Sequence, residues 1–189
     1  MSGCLCQGAY FRVLMKFSFC PVCGQKLEAR GAGDDGQVPY CGNCRRFWFE
    51  MFPCCVIVMV VNEYGEIALL RQNYLSTEYA TFVAGFMKPG ENAEQAAERE
   101  VREELGLKIE HLEYAGTHWF GDRAQLMHAF VGYVLKGQLR LSSEVDAASW
   151  VPCEQAEALM FPDRPGNTQH LIFRQYMSKR KTEQNFING

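Results

Sequence analysis

The chain has 189 residues, room for one mid-sized domain and a small appendage. Hydrophobic residues make up 48% and charged residues 22%, so a packed globular core is expected. A net charge of −3 gives no support to nonspecific nucleic-acid binding, and no apolar run approaches the roughly 18 residues needed to span a membrane.

Residues 1–15 show no clear periodicity and read as a tail, with Met15 a second possible start. Arg12 and Lys16 interrupt the apolar part of the first 19 residues, which makes a poor secretion signal. Cys4-x-Cys6 in this stretch reads as incidental. An odd count of nine cysteines, four of them in CxxC pairs, points to a reduced compartment and metal binding rather than a disulfide framework. Cytoplasm is the expected location.

Residues 16–49 read as a small module. Cys20-x-x-Cys23 and Cys41-x-x-Cys44 are separated by 17 residues. Each pair bends the backbone so that two thiolates reach one ion, and four thiolates make a closed tetrahedral zinc site. The spacer Gly31–Gln37 is too polar to pack alone, so a metal staple makes physical sense. With few basic residues beyond Arg45 and Arg46, a structural or dimer-forming role is expected of the ribbon. Phe47, Trp48, Phe49 and Phe52 are expected to pack it on the next domain or on a second subunit. The second domain is read as residues 50–189.

The run 54–61 is continuously apolar and predicts a strand buried on both faces. Turn residues follow at 62–65, then a return strand at 66–72. A strand at 79–84 leads into a glycine-bearing loop. Further strands are predicted at 108–119, 126–135 and 147–151, and helices at 153–160 and 167–180. Leu171, Ile172 and Tyr176 form the expected buried face of the last helix. Strands, one central helix, more strands and then helices suit an α/β sandwich with a mixed sheet better than a doubly wound fold.

The central helix is well bounded. Asn92 and Gln95 form a capping-box pattern, Ala93, Ala97, Val101 and Leu105 an apolar stripe, and Gly106 a left-handed stop. Glu100, Glu103 and Glu104 lie at i, i+3 and i+4 and are expected to point away from the stripe. Such a cluster is either a solvated acidic face or a seat for a divalent cation.

Gly85, five residues, Glu91, seven residues and then Arg-Glu-Val-Arg-Glu-Glu-Leu-Gly-Leu at 99–107 reproduce the Nudix box, nine fixed positions over 23 residues. A four-cysteine ribbon ahead of the box resembles the NADH pyrophosphatase group of that family. The resemblance implies a Nudix-type α/β/α sandwich. It implies hydrolysis of a nucleoside diphosphate linked to another moiety, such as NADH, NAD, ADP-ribose or FAD. Mg²⁺ or Mn²⁺ is the implied catalytic cofactor and Zn²⁺ the structural one. By position, Glu100 and Glu104 are implied as main metal ligands. Glu103 is implied as a further ligand or the group that activates water, and it is not separated from Glu104 as the base. Arg99 is implied to hold a box carboxylate and Glu91 to anchor loop to helix. The Ala84 carbonyl and Glu144 are implied as additional ligands.

The NADH pyrophosphatases carry a second signature, Ser-Gln-Pro-Trp-Pro-Phe-Pro. Residues 116–122 read Gly-Thr-His-Trp-Phe-Gly-Asp and keep only the tryptophan and a displaced phenylalanine. Trp119 and Phe120 either stack on a substrate ring or pack into the core. His118 and His128 are assigned no chemistry. Two other functions stand beside small-molecule hydrolysis. One is removal of an NAD cap from RNA 5′ ends, which the acidic composition disfavours. The other is a non-catalytic sensor, which the full set of box carboxylates disfavours. A homodimer is expected, without nucleic acid or membrane.

Overall fold

The computed structural model describes residues 17–187, with side chains as far as Thr182. The expected tail at 1–15 and the Cys4/Cys6 pair lie outside the described residues. The chain divides into two compact units, the first running to Phe52 and also taking in Asp122–Ala124, the second the remainder from Pro53.

The first unit is a three-stranded antiparallel sheet: β1 (Glu28–Gly31), β2 (Gln37–Cys41) and β3 (Arg46–Phe47). Several of its aromatic residues pack against one another within the unit. Phe47 meets Tyr40 edge-on at 4.9 Å and Trp48 meets Phe17 at 5.4 Å. The Arg46 guanidinium lies over the Trp48 ring at 4.6 Å. A unit with so little aliphatic content uses its aromatics to cover itself.

The second unit is an α/β/α sandwich on a six-stranded mixed sheet, as the order of elements predicts. β4 (Cys54–Asn62) is the central strand. It pairs in parallel with β8 (Gln125–Val134) and antiparallel with β5 (Glu66–Arg71) and β6 (Val83–Phe86). β7 (His111–Phe120) and β9 (Ala147–Pro152) complete the sheet in the order β7-β8-β4-β5-β9. The unbroken apolar run of β4 serves two cores at once. Cys55, Ile57, Met59 and Val61 join one core, which includes residues of α2 (Cys153–Leu159) and α3 (Thr168–Ile187). Val56, Val58 and Val60 join the other, which includes residues of α1 (Ala93–Leu105).

Two boundaries and one buried face differ from expectation. The segment at 79–82 is held by isolated backbone bonds to Leu70 and Leu159, while the paired strand runs on through Gly85 to Phe86. Gly85 therefore sits in the sheet and not in a loop. β7 starts at His111 rather than at residue 108. The buried face of α3 is carried by Ile172 and Phe173, with Tyr176 partly buried and Leu171 at its edge. Among the described residues, no helix is long and apolar enough to cross a membrane.

Candidate metal centres and substrate groove

α1 is fixed at both ends. The Gln95 amide donates to Asn92 Oδ1 at 2.8 Å and the Asn92 amide to Gln95 Oε1 at 3.0 Å, closing the capping box. Gly106 ends the helix at φ 67°, donating to the Arg102 carbonyl. Ala96, Ala97, Val101 and Leu105 bury the inner face. The three glutamates do not share one exposed side. Glu100 and Glu104 are buried at the edge of the stripe, being one turn apart, whereas the Glu103 side chain is 50% exposed.

Gly85 passes directly under Glu100. A Cβ there would stand 2.0 Å from Glu100 Oε1, so only glycine lets the helix carboxylate approach the strand. Arg99 joins the rest. It donates twice to Glu91, at 2.5 and 2.9 Å, and to Glu100 at 2.6 Å, Glu103 at 3.0 Å and the Phe86 carbonyl at 3.0 Å. The Lys88 amide adds a bond to Glu91, and Lys88 Nζ pairs with Glu103 at 3.5 Å. Arg99 first and the Lys88 amide second hold the Glu91 carboxyl down at about 2. Arg99→Lys keeps the charge but loses the fork. It is expected to cost roughly 3 kcal/mol of stability, measured by denaturant unfolding against wild type, because several partly buried carboxylates lose their partner.

Glu104 is the least satisfied group. Gln72 Nε2 reaches its Oε1 at 3.4 Å, while Oε2 is buried without a partner. Burial pushes its carboxyl up to about 8, and the charges of Glu100 and Glu144 add to the rise. The Ala84 amide and Gln72 pull the other way. Glu144 itself is exposed, its amide bonded to Ser142 Oγ. A buried, unpaired carboxylate oxygen near two like charges fits a hard cation. Sequence reading missed Gln72 and Lys88; a polar Gln closing an apolar strand was the available signal for the first.

In the first unit, one sulfur from each of Cys20, Cys23, Cys41 and Cys44 lies within 4.8 Å of the others. Among the described residues this is the one cluster that meets that spacing. Gly24 and Arg45, each following the second cysteine of a pair, are left-handed at φ 72° and 52°, which turns both knuckles inward. Hydrogen bonds from the Gln25 amide, then Asn43 and Cys44, bring Cys23 down to about 6. The bond to Cys23, then burial, pushes Cys44 up to about 12. The set fits a single thiophilic ion that replaces those shared protons.

The sheet face beside α1 carries a further feature. The β7–β8 register shifts between Tyr114 and Gly116, a bulge that leaves Ala115 unpaired, with Gly116 at φ 113°. Tyr114, Thr117 and Trp119 consequently fall on the α1 face, opposite Phe130, His128 and Leu126. Tyr114 packs edge-on against Phe130 at 5.4 Å, and its hydroxyl bonds that of Thr117. Phe120 falls on the other face and packs against the core beneath α3, so Trp119 and Phe120 do not share a site.

The NUDIX domain model matches residues 51–172. The chain belongs to the NUDIX family. A protein named NAD-capped RNA hydrolase NudC, from Vibrio atlanticus, is 32% identical over 143 residues, 75% of this chain and 51% of its own length. Its namesake from Pseudomonas aeruginosa is 30% identical over 157 residues, covering 82% and 54%. The chain thus spans about half the length of the curated relatives it matches. The crystal structure of a NUDIX hydrolase from Nitrosomonas europaea superposes with a TM-score of 0.66 at 20% identity, covering 88% of this chain and 93% of that one. At that identity the likeness concerns the NUDIX fold alone.

Proposed function

We propose that the chain hydrolyses the pyrophosphate bond of a nucleoside diphosphate joined to a second moiety, with NAD or NADH, ADP-ribose and FAD as the substrate class. The observation that carries this reading is Glu104, buried with an unpartnered oxygen on the box helix and facing the charges of Glu100 and Glu144. Glu100, Glu104 and Glu144, with the Ala84 carbonyl, are the oxygen donors for Mg²⁺ or Mn²⁺. When bound, the cation neutralises the pyrophosphate and makes water a stronger nucleophile. Glu103, held at one oxygen by Arg99, is the exposed box carboxylate, placed to serve as a further ligand or to orient and deprotonate the water. The water oxygen bonds to one phosphorus as the bond to the bridging oxygen breaks, and the other phosphate departs. Trp119 offers an exposed ring for stacking, and Arg99 keeps the carboxylates in register. The four cysteines hold a structural zinc in a ribbon over residues 16–49, and the exposed Phe49 and Met51 at and just past its end support a homodimer.

The test is a substrate panel with Mg²⁺ or Mn²⁺ and product identification by mass spectrometry. AMP release from at least one dinucleotide is the expected result; none from the whole panel would overturn the reading. Glu103→Gln should lose turnover and keep its melting temperature. A second reading, removal of an NAD cap from RNA, is favoured by what the relatives are named. Binding to capped RNA that weakens steeply with salt would distinguish it from small-molecule hydrolysis.

A further inference from the structure

The α1 face of the sheet is covered unevenly. Val56, Val58 and Val83, in the α1 core, are fully buried. Across β8 and β7 the same face opens, with Tyr114 52% and Trp119 46% exposed. Strand register defines the floor between them. Gly85, Val56, His128 and Thr117 form one row across β6, β4, β8 and β7. Glu100 stands over Gly85 at one end of that row. His128 is two strand spacings from Gly85, about 10 Å. Trp119 lies one strand over from His128 and two residues along.

His128 is thus a polar side chain on the floor between the box carboxylates and the exposed indole, beside Thr117, whose hydroxyl is taken up by that of Tyr114. It is partly exposed, and it has no hydrogen-bond or ion-pair partner among the described residues. A neutral imidazole offers one donor and one acceptor, which matches ribose hydroxyls and phosphate oxygens. An apolar floor would leave those groups unsatisfied.

We propose that His128 is a substrate-contacting residue. It hydrogen-bonds the ribose–phosphate segment that joins a ring stacked on Trp119 to a pyrophosphate held at the α1 glutamates. The inference rests on the reading of those glutamates given above. It assigns His128 to binding and specificity, not to proton transfer.

The experiment uses the full chain with Mg²⁺ and two probes, AMP and ribose 5-phosphate. His128→Ala is expected to weaken both about 5–10-fold, while Trp119→Ala weakens AMP and leaves ribose 5-phosphate unchanged. His128→Asn should recover part of the loss, and matched melting curves establish that the variants fold. The ring C–H resonances of His128 should move when either probe binds. Unchanged affinity in His128→Ala, or unmoved resonances with AMP bound, overturns the inference while hydrolysis by the wild type keeps the glutamate reading intact. A wild type that neither binds AMP nor hydrolyses the panel overturns both.

Discussion

Glu104→Gln is expected to abolish hydrolysis and, in the presence of chelator, to raise the melting temperature. The two effects have one origin. Burial first, then Glu100 and Glu144, raise the Glu104 carboxyl to about 8, above an ordinary value of 4.5. The sign follows from proton counting. Above pH 4.5 the unfolded chain releases this proton while the folded chain keeps it. The contribution is therefore fully favourable at low pH and is lost as pH rises through about 8. Between pH 5 and 8 the loss is roughly 3 kcal/mol, a fall of about 6–10 °C in melting temperature for a chain this size. The glutamine variant should lack that slope, and excess Mg²⁺ should remove it from the wild type by supplying the missing positive charge. A wild-type melt that stays flat with pH under chelation would count against the unpaired state of this carboxylate. The activity loss should exceed the roughly 10–100-fold typical of an outer-shell partner.

Removing the ion from the four-cysteine cluster is expected to unfold the first unit while the second keeps its own cooperative transition. The ribbon has three short strands and buries few aliphatic side chains, Val38 among them. Structural zinc in such modules contributes on the order of 10–16 kcal/mol of apparent binding free energy, more than the aromatic packing supplies. Cys20→Ser or Cys41→Ser should therefore abolish binding of one zinc per chain, measured by metal analysis. The protein should then melt in two steps or show early protease cleavage within residues 17–49. A single unchanged transition in the metal-stripped protein would remove zinc from the account of this unit.

α1 was legible in the sequence because every device that defines it is local. Asn92, Gln95, the apolar stripe and Gly106 all act within one helix, and each is found in its expected role. The continuous apolar run of β4 was legible for the same reason. What escaped was set by register between distant segments. Gly85 was read as loop material because a glycine in sequence does not announce the carboxylate that will lie over it. Glu100 and Glu104 were expected to point away from the apolar stripe because the width of the buried stripe depends on how closely β6 approaches, which Gly85 decides. Trp119 and Phe120 were treated as a pair, but neighbours on a strand face opposite ways, and the outcome hangs on Gly116.

That unpaired residue at Ala115 makes the strand's parity adjustable. Were the bulge smoothed out with every residue kept, the rest of β7 would slip by one along β8 and exchange inside for outside, presenting Phe120 beside the helix and turning Trp119 toward α3. The box glutamates, carried on another segment, would be untouched. The glutamate cluster and the face that Trp119 occupies are thus set by separable parts of the chain, and a one-residue slip of β7 would change the second while the first stays fixed.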